Sequence, residues 1–305
     1  MRLTRRQTLT AAAALPLAAA AAATSARAGA PMMGVAPAPF NRVKLGAFEI
    51  TTLLAGTRSV PDPQNIFGMN VDAETFAAAS AAANLPTDAA QFFFTPTLVN
   101  TGAELVLFDT GLSAEGTLAA VTAAGYTADQ VDIVVITHMH GDHIGGMMNA
   151  GAPTYPNARY VTGQKEYDAW AKAENDGFDA NMRPMAEQTT FLDAGQDVVA
   201  GITSVAAFGH TPGHMTYRLT SEGKSMLLGA DFANHYVWSL AHPTWEVKFD
   251  MDKSAAAETR KALLSMMAAE KMPFVGYHMP WPGIGYVETR GDGFHYVPHS
   301  YQLML

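Results

Sequence analysis

The segment His138-Met139-His140-Gly141-Asp142-His143 sets three imidazoles and a carboxylate within six residues. Imidazole nitrogens and carboxylate oxygens are the donors that a divalent ion gathers, and the ion lets such groups converge without a clash. His138 and His140 are two residues apart and point the same way in extended chain, while Asp142 and His143 follow in a turn or a first helical step. One cation has too few positions for all four, so two ions are expected. The chain has no Cys, which excludes a thiolate nucleophile, a Cys-ligated metal and any disulfide framework. The ten His all lie at or beyond His138. Further donors stand where apolar runs stop: His210 in Gly209-His210-Thr211-Pro212-Gly213-His214, Asp231 after Leu227-Leu228-Gly229-Ala230, and His278 after Phe274-Val275-Gly276-Tyr277. Two divalent ions ~3.5–4 Å apart would acidify a shared water toward neutral pH and polarise a carbonyl or phosphoryl oxygen. Asp142 and Asp231 would orient that nucleophile and carry its proton, and no Gly-x-Ser-x-Gly elbow offers a serine instead.

These groups need stiff elements to hold them. The run Val131 to Thr137 is of buried-strand type and stops directly at His138. Lys44–Leu54 reads as a strand, and Thr97–Asn100 with Glu104–Asp109 as an antiparallel pair across Thr101-Gly102-Ala103. Strands are also expected at Ala158–Thr162, Gly201–Ala207, Met215–Thr220 with Ser225–Gly229, Phe274–Tyr277, Tyr286–Arg290 and Phe294–Val297. Thr117–Ala124, Gly163–Lys172 and the amphipathic Lys253–Ala269 read as helices, the last with Ala257, Leu263, Leu264 and Met267 on one side. Residues 72–94 read as a helical excursion. This order favours a layered α/β domain that combines hairpins with crossover helices.

At the N-terminus, Arg2, Arg5 and Arg6 precede an Ala/Leu run from Thr10 to Ala23, and Ala26-Arg27-Ala28 offers a small-x-small cleavage site. This is the layout of an export signal over residues 1–28, with Arg5-Arg6 in a twin-arginine setting, and it places the protein in the periplasm or outside the cell. A flexible segment is expected over residues 29–42 and the catalytic domain over 43–305. The Ala-rich run is too short for a stable membrane anchor. Cleavage removes four Arg and no acid, moving the net charge from −9 to −13. Such acidity disfavours a nucleic-acid partner, whose phosphates call for Lys and Arg.

The pattern His138-x-His140-x-Asp142-His143, with the later donors, resembles the metallo-β-lactamase-fold hydrolases. That resemblance implies a four-layer αββα sandwich of the α/β (α+β) class. It implies one metal on His138, His140 and His210, a second on Asp142, His143 and His278, and Asp231 bridging the two. Asp109 and His214 would stand behind the ligands and orient them. The two ions would be Zn2+, with Mn, Co or Fe as alternatives. Segments such as Leu98-Val99-Asn100-Thr101-Gly102 and Pro282-Gly283-Ile284-Gly285 are similar to the methyl parathion hydrolase branch, whose members are often dimeric. By that likeness Trp170 and Phe178 would line the substrate pocket, although Gly141 stands where the branch has Pro. The resemblance implies hydrolysis of a small hydrophobic ester or lactone. Phosphotriesters, glutathione thioesters and loss of activity in a metal-binding protein are the alternatives.

Overall fold

The computed structural model describes residues 30–300. The proposed export signal lies outside the described residues. The chain divides after Pro37, and residues 30–37 are exposed without regular structure. The strands of the second unit are β1 (Phe40–Leu45), β2 (Phe48–Leu53), β3 (Gly56–Pro61), β4 (Ala89–Phe94), β5 (Thr97–Asn100), β6 (Leu105–Phe108), β7 (Ile133–Ile136), β8 (Met148–Asn149) and β9 (Ala152–Pro153). They continue as β10 (Arg159–Gly163), β11 (Thr189–Leu192), β12 (Asp197–Val199), β13 (Ile202–Ala206), β14 (Met215–Ser221), β15 (Lys224–Ala230), β16 (Phe274–Gly276), β17 (Ile284–Arg290) and β18 (Gly293–Pro298). The α-helices are α1 (Ala73–Ala82), α2 (Ala114–Ala123), α3 (Gly141–Ile144), α4 (Gln164–Trp170), α5 (Asp176–Asn181) and α6 (Lys253–Glu270).

Two seven-stranded sheets carry the domain, in the orders β1-β2-β5-β6-β7-β10-β11 and β12-β13-β14-β15-β16-β17-β18. The side-chain period of two sorts their apolar runs between two faces. In β6 and β7, Val106, Phe108, Ile133 and Val135 meet Ile202, Met215, Tyr217 and Leu228 of the other sheet. Their neighbours Leu105, Leu107, Val134 and Ile136 turn outward onto Ala120 and Val121 of α2 and Ile144 of α3. On the far side Leu227 and Phe274 pack under Leu263, Leu264 and Met267 of α6. Uninterrupted apolar strands are therefore required, because both faces are covered, and the layers run helix, sheet, sheet, helix.

Four sequence expectations change. Lys44–Leu54 is not one strand, since the chain reverses at Gly46 between β1 and β2. Gly46 sits at φ 59°, and a Cβ there would lie 2.5 Å from the Ser221 carbonyl oxygen, so only glycine fits. β1 begins at Phe40, inside the segment expected to be flexible, and Arg42 ties it down by donating to Thr51 Oγ1 and the Ala124 carbonyl. Residues 72–94 are helical only through α1; Ala89–Phe94 is a strand that pairs with β3. The Phe92-Phe93-Phe94 run alternates buried and half-buried side chains, which a helix cannot do over three consecutive residues. On α6 the inward face holds Ala256 rather than Ala257, together with Arg260. Among the described residues no helix is long and apolar enough to cross a membrane.

Candidate metal centre

Parallel pairing puts the donors on one edge. β6 and β7 are parallel neighbours, as are β15 and β16. Parallel strands end on the same side, so Asp109, His138, Asp231 and His278 all emerge together. Asp109 at φ 61° and Ala230 at φ 47° adopt the left-handed region that non-glycine residues avoid. That strain turns each strand end sharply toward the site. His138 to His140 stay extended, and α3 starts immediately after His140, swinging Asp142 and His143 onto a second point.

Two groups of ligand-type side chains result: His138, His140 and His210, and Asp142, His143, Asp231 and His278. In the first, His140 Nδ1 lies 3.1 Å from His138 Nε2 and 3.0 Å from His210 Nε2. In the second, Asp142 Oδ2 is 3.5 Å from His143 Nε2 and 3.3 Å from His278 Nε2. Asp231 spans both, with Oδ2 3.4 Å from His210 and 3.2 Å from His278, and Oδ1 3.3 Å from His143.

The hydrogen bonds behind the rings assign the tautomers. His143 Nδ1 donates to Asp109 Oδ2 at 2.8 Å, His210 Nδ1 to Asp250 Oδ1 at 2.9 Å, and His278 Nδ1 to the Phe93 carbonyl at 2.8 Å. The Thr137 hydroxyl donates to Asp109, so it accepts from His138 Nδ1 at 3.1 Å. Each of these four histidines therefore turns its Nε2 toward its group. Such back-side acceptors fix ring orientation and raise ligand basicity. His143 Nε2 and Asp231 Oδ1 are buried without a hydrogen-bond partner. Converging ring nitrogens and an orphaned buried carboxylate oxygen are what a pair of divalent cations satisfies, so the residues fit two ions.

Charge points the same way. Burial holds His138 well below the usual histidine range and His140 at about 3, helped by the neighbouring imidazoles. Burial opposes ionisation of Asp231 and Asp142, yet His278 and His143 keep Asp231 well below the ordinary carboxylate range and Asp142 at about 2. Against burial, the carboxylates draw His143 well up, chiefly through Asp231, and His278 to about 10. The pocket thus attracts positive charge, which a divalent cation supplies without a proton.

The other expected residues divide. Asp109 accepts from Thr137 N, Thr137 Oγ1 and His143 Nδ1, linking both groups. His214 is buried behind His138, donating to the Ala207 carbonyl and accepting from Asp231 N. Trp170 meets His140 edge-on at 5.8 Å, and its place is behind that ligand rather than in the cavity. Phe178 does not reach the cavity; it is fully buried among Tyr155, Met182 and Met185 under the outer face of the first sheet. It reads as a pocket aromatic by sequence, but α5 turns its apolar side inward to complete the core.

A cavity of about 360 Å³ opens over the ligands, with His140, Asp142, Asp231 and His278 at its floor and Val60, Phe92, Phe94, Leu112, Phe249 and Arg58 around them. Phe92 and Phe94 present edges to the His278 ring at 5.5 Å each. A larger cleft of about 640 Å³ lies elsewhere, between the β1–β2 turn and the β14–β15 hairpin, and contains none of these ligands.

Sequence reading also misses Asp250, Arg260, Glu166 and Tyr277. Arg260 is fully buried, donating to Asp250 Oδ2 at 2.7 Å and to the carbonyls of Phe232 and Pro243. Asp250 is held below the usual carboxylate range against burial, by its bonds to His210 and Arg260. The available signal was an arginine on the apolar stripe of α6, in line with Ala256, Leu263 and Met267. Arg260→Met should destabilise the protein by about 3–5 kcal/mol, because it leaves the Asp250 charge buried beside an apolar side chain. Denaturant titration checks this, and a loss below ~1 kcal/mol would mean that Asp250 is not a buried charge.

Residues 95–278 match the Metallo-beta-lactamase superfamily. That span holds all seven ligand-type residues, and the chain belongs to this family. Among solved structures it is similar to the dizinc quorum-quenching lactonase AidC, described in complex with the product N-hexanoyl-L-homoserine, at 23% identity and TM-score 0.80, covering 86% of this chain and 98% of that one. It is similar to the hydrolase AbOPH of the beta lactamase superfamily at 24% identity and TM-score 0.79, covering 88% and 99%. An N-acyl homoserine lactone hydrolase with N-hexanoyl-L-homoserine at its catalytic metal centre follows at 19% identity and TM-score 0.58, covering 78% and 94%. At these identities the likeness is one of fold. No curated protein sequence matches the chain.

Proposed function

We propose that the protein is a dinuclear metal-dependent hydrolase that opens a lactone or cleaves a carboxylic ester bearing an apolar group. One observation carries this reading: the ligand cluster forms the floor of a cavity whose walls, Arg58 apart, are aromatic and aliphatic. The family, and the lactone-derived product named for two similar structures, support it. Zinc is the proposed metal, and the N-terminal pattern supports export to the periplasm or beyond.

Bound at these residues, two divalent ions would supply Lewis acidity to a carbonyl oxygen and acidify an attacking water. The chain's own groups arrange the remainder. Asp142 is the more open of the two ligand carboxylates, with 21% of its side chain exposed against 4% for Asp231. It faces the cavity and is placed to take a proton from the nucleophile. The Tyr277 hydroxyl donates to the Asp142 carbonyl and pins this turn. Asn234 Nδ2 donates to Asp231 Oδ2 at 2.9 Å and holds the bridging carboxylate in place. Phe92 and Phe94 keep water off His278, and the half-open Phe249 offers a surface for an acyl or aryl chain.

The metal-loaded protein should be assayed on an acyl-homoserine lactone, dihydrocoumarin, an aryl ester, methyl parathion, a glutathione thioester and a β-lactam. Lactones or carboxylic esters should exceed the others, and dominant β-lactam or thioester turnover would overturn the reading. Phe249→Ala should raise KM for a long-chain substrate about fivefold with little change in kcat, from the loss of roughly 1 kcal/mol of apolar contact. An equal effect on an acetyl ester would show that Phe249 does not hold the chain.

A further inference from the structure

Glu166 is an acid with no exposed surface, and among the described residues no cation pairs with it. It stands in the first turn of α4. Burial pushes its carboxyl upward, opposed by the donors that surround it. Beside the Trp170 ring of its own helix, the donors come from two different loops. Oε1 accepts from the Met139 backbone N–H at 3.0 Å, while Oε2 accepts from the Thr211 hydroxyl and the Gly213 backbone N–H at 2.8 Å each.

Met139 lies between His138 and His140, and Thr211 directly follows His210. A single carboxylate therefore spans the two loops that carry the whole first ligand group. Gly213 gives independent support. A Cβ at this position would sit 2.2 Å from Glu166 N and 2.6 Å from Glu166 Cα, so only glycine lets the second loop approach α4 this closely. The second group has other supports: Asp109 behind His143 and the Phe93 carbonyl behind His278.

We infer that Glu166 is the positioning residue of the first metal position, setting the separation of His138 and His140 from His210 without touching the ion. This rests on the two-ion reading above. A buried carboxylate is costly unless its lone pairs are engaged, and here three hydrogen bonds engage it from the ligand loops. Glutamine at this position keeps the shape and one acceptor, but turns an NH2 toward the Thr211 and Gly213 donors. The two loops then lose their common tie while the second group keeps its own.

The test is metal binding by the full-length protein, read by competition with a chromophoric chelator and by the Co2+ absorption spectrum. Wild type should bind two ions. In Glu166→Gln one ion should bind as in wild type and the other about 10- to 100-fold more weakly, the range for groups that orient a ligand from behind. Its Co2+ bands should change for one site only. Thr211→Val removes a single donor and should weaken the same ion by a smaller factor, which provides a milder variant if Glu166→Gln folds poorly. Two ions at wild-type affinity with unaltered spectra in Glu166→Gln and Thr211→Val would overturn the inference and leave the two-ion reading intact. Fewer than two ions in wild type would overturn that reading itself.

Discussion

Asp231→Asn should lower turnover on the best lactone or ester by on the order of 10³-fold, the scale of removing a charged group at a reacting centre. Asp231 reaches both ligand groups directly, with Oδ2 beside His210 and His278 and Oδ1 beside His143. An amide presents one acceptor and a donor NH2, so at least one group meets N–H where it needs an oxygen. The substitution also removes one negative charge from the floor of the cavity, where His278 and His143 hold the carboxylate ionised against the cost of burial. Affinity for both ions should fall together. This differs from Glu166→Gln, whose effect is confined to one position. Metal content and kcat/KM measured on the same preparation decide the matter. A variant that retains two ions and activity within tenfold of wild type would refute the bridging role.

Removing metal should lower the melting temperature by more than ~10 °C. A ligand present at a thousandfold excess over its Kd stabilises the folded state by about 4 kcal/mol, and two such ions add about twice that. For a domain of this size each kcal/mol corresponds to roughly 2–4 °C. The physical source is visible in the cluster. Without cations, the Asp142 and Asp231 charges are offset by the buried His143 and His278 rings that they draw up, so charge of both signs stays buried. Calorimetry before and after dialysis against a chelator, with Zn2+ restored in a third sample, measures the difference. An unchanged melting temperature would mean that no ion binds the folded protein in preference to the unfolded chain.

Three of the ligand-type positions were legible from local grammar: an apolar strand run that stops, then a His or Asp. His138, Asp231 and His278 all follow this pattern. The sandwich was legible from continuous apolar runs that demanded cover on both faces. The β3–β4 ribbon was not. Ala89–Phe94 pairs with no neighbour in sequence, since its partner Gly56–Pro61 lies on the far side of a whole helix. Phe178 misled for a related reason, since an aromatic suits a pocket wall and a core equally, and only the rotation of α5 separates the two.

What the sequence by itself determined is the donor set. Without Cys, with His and Asp at strand ends, the chain commits to hard and borderline ligands for two cations. Tertiary structure alone decided which nitrogen of each imidazole faces the ion. Those choices rest on partners far along the chain: Asp109 for His143, Phe93 for His278, Asp250 with Arg260 for His210. A tautomer is set by the hydrogen bond that the other ring nitrogen makes, and that partner is supplied by packing, not by neighbouring sequence. The same holds for Glu166, whose buried carboxylate has a role only because the fold brings two distant loops to it.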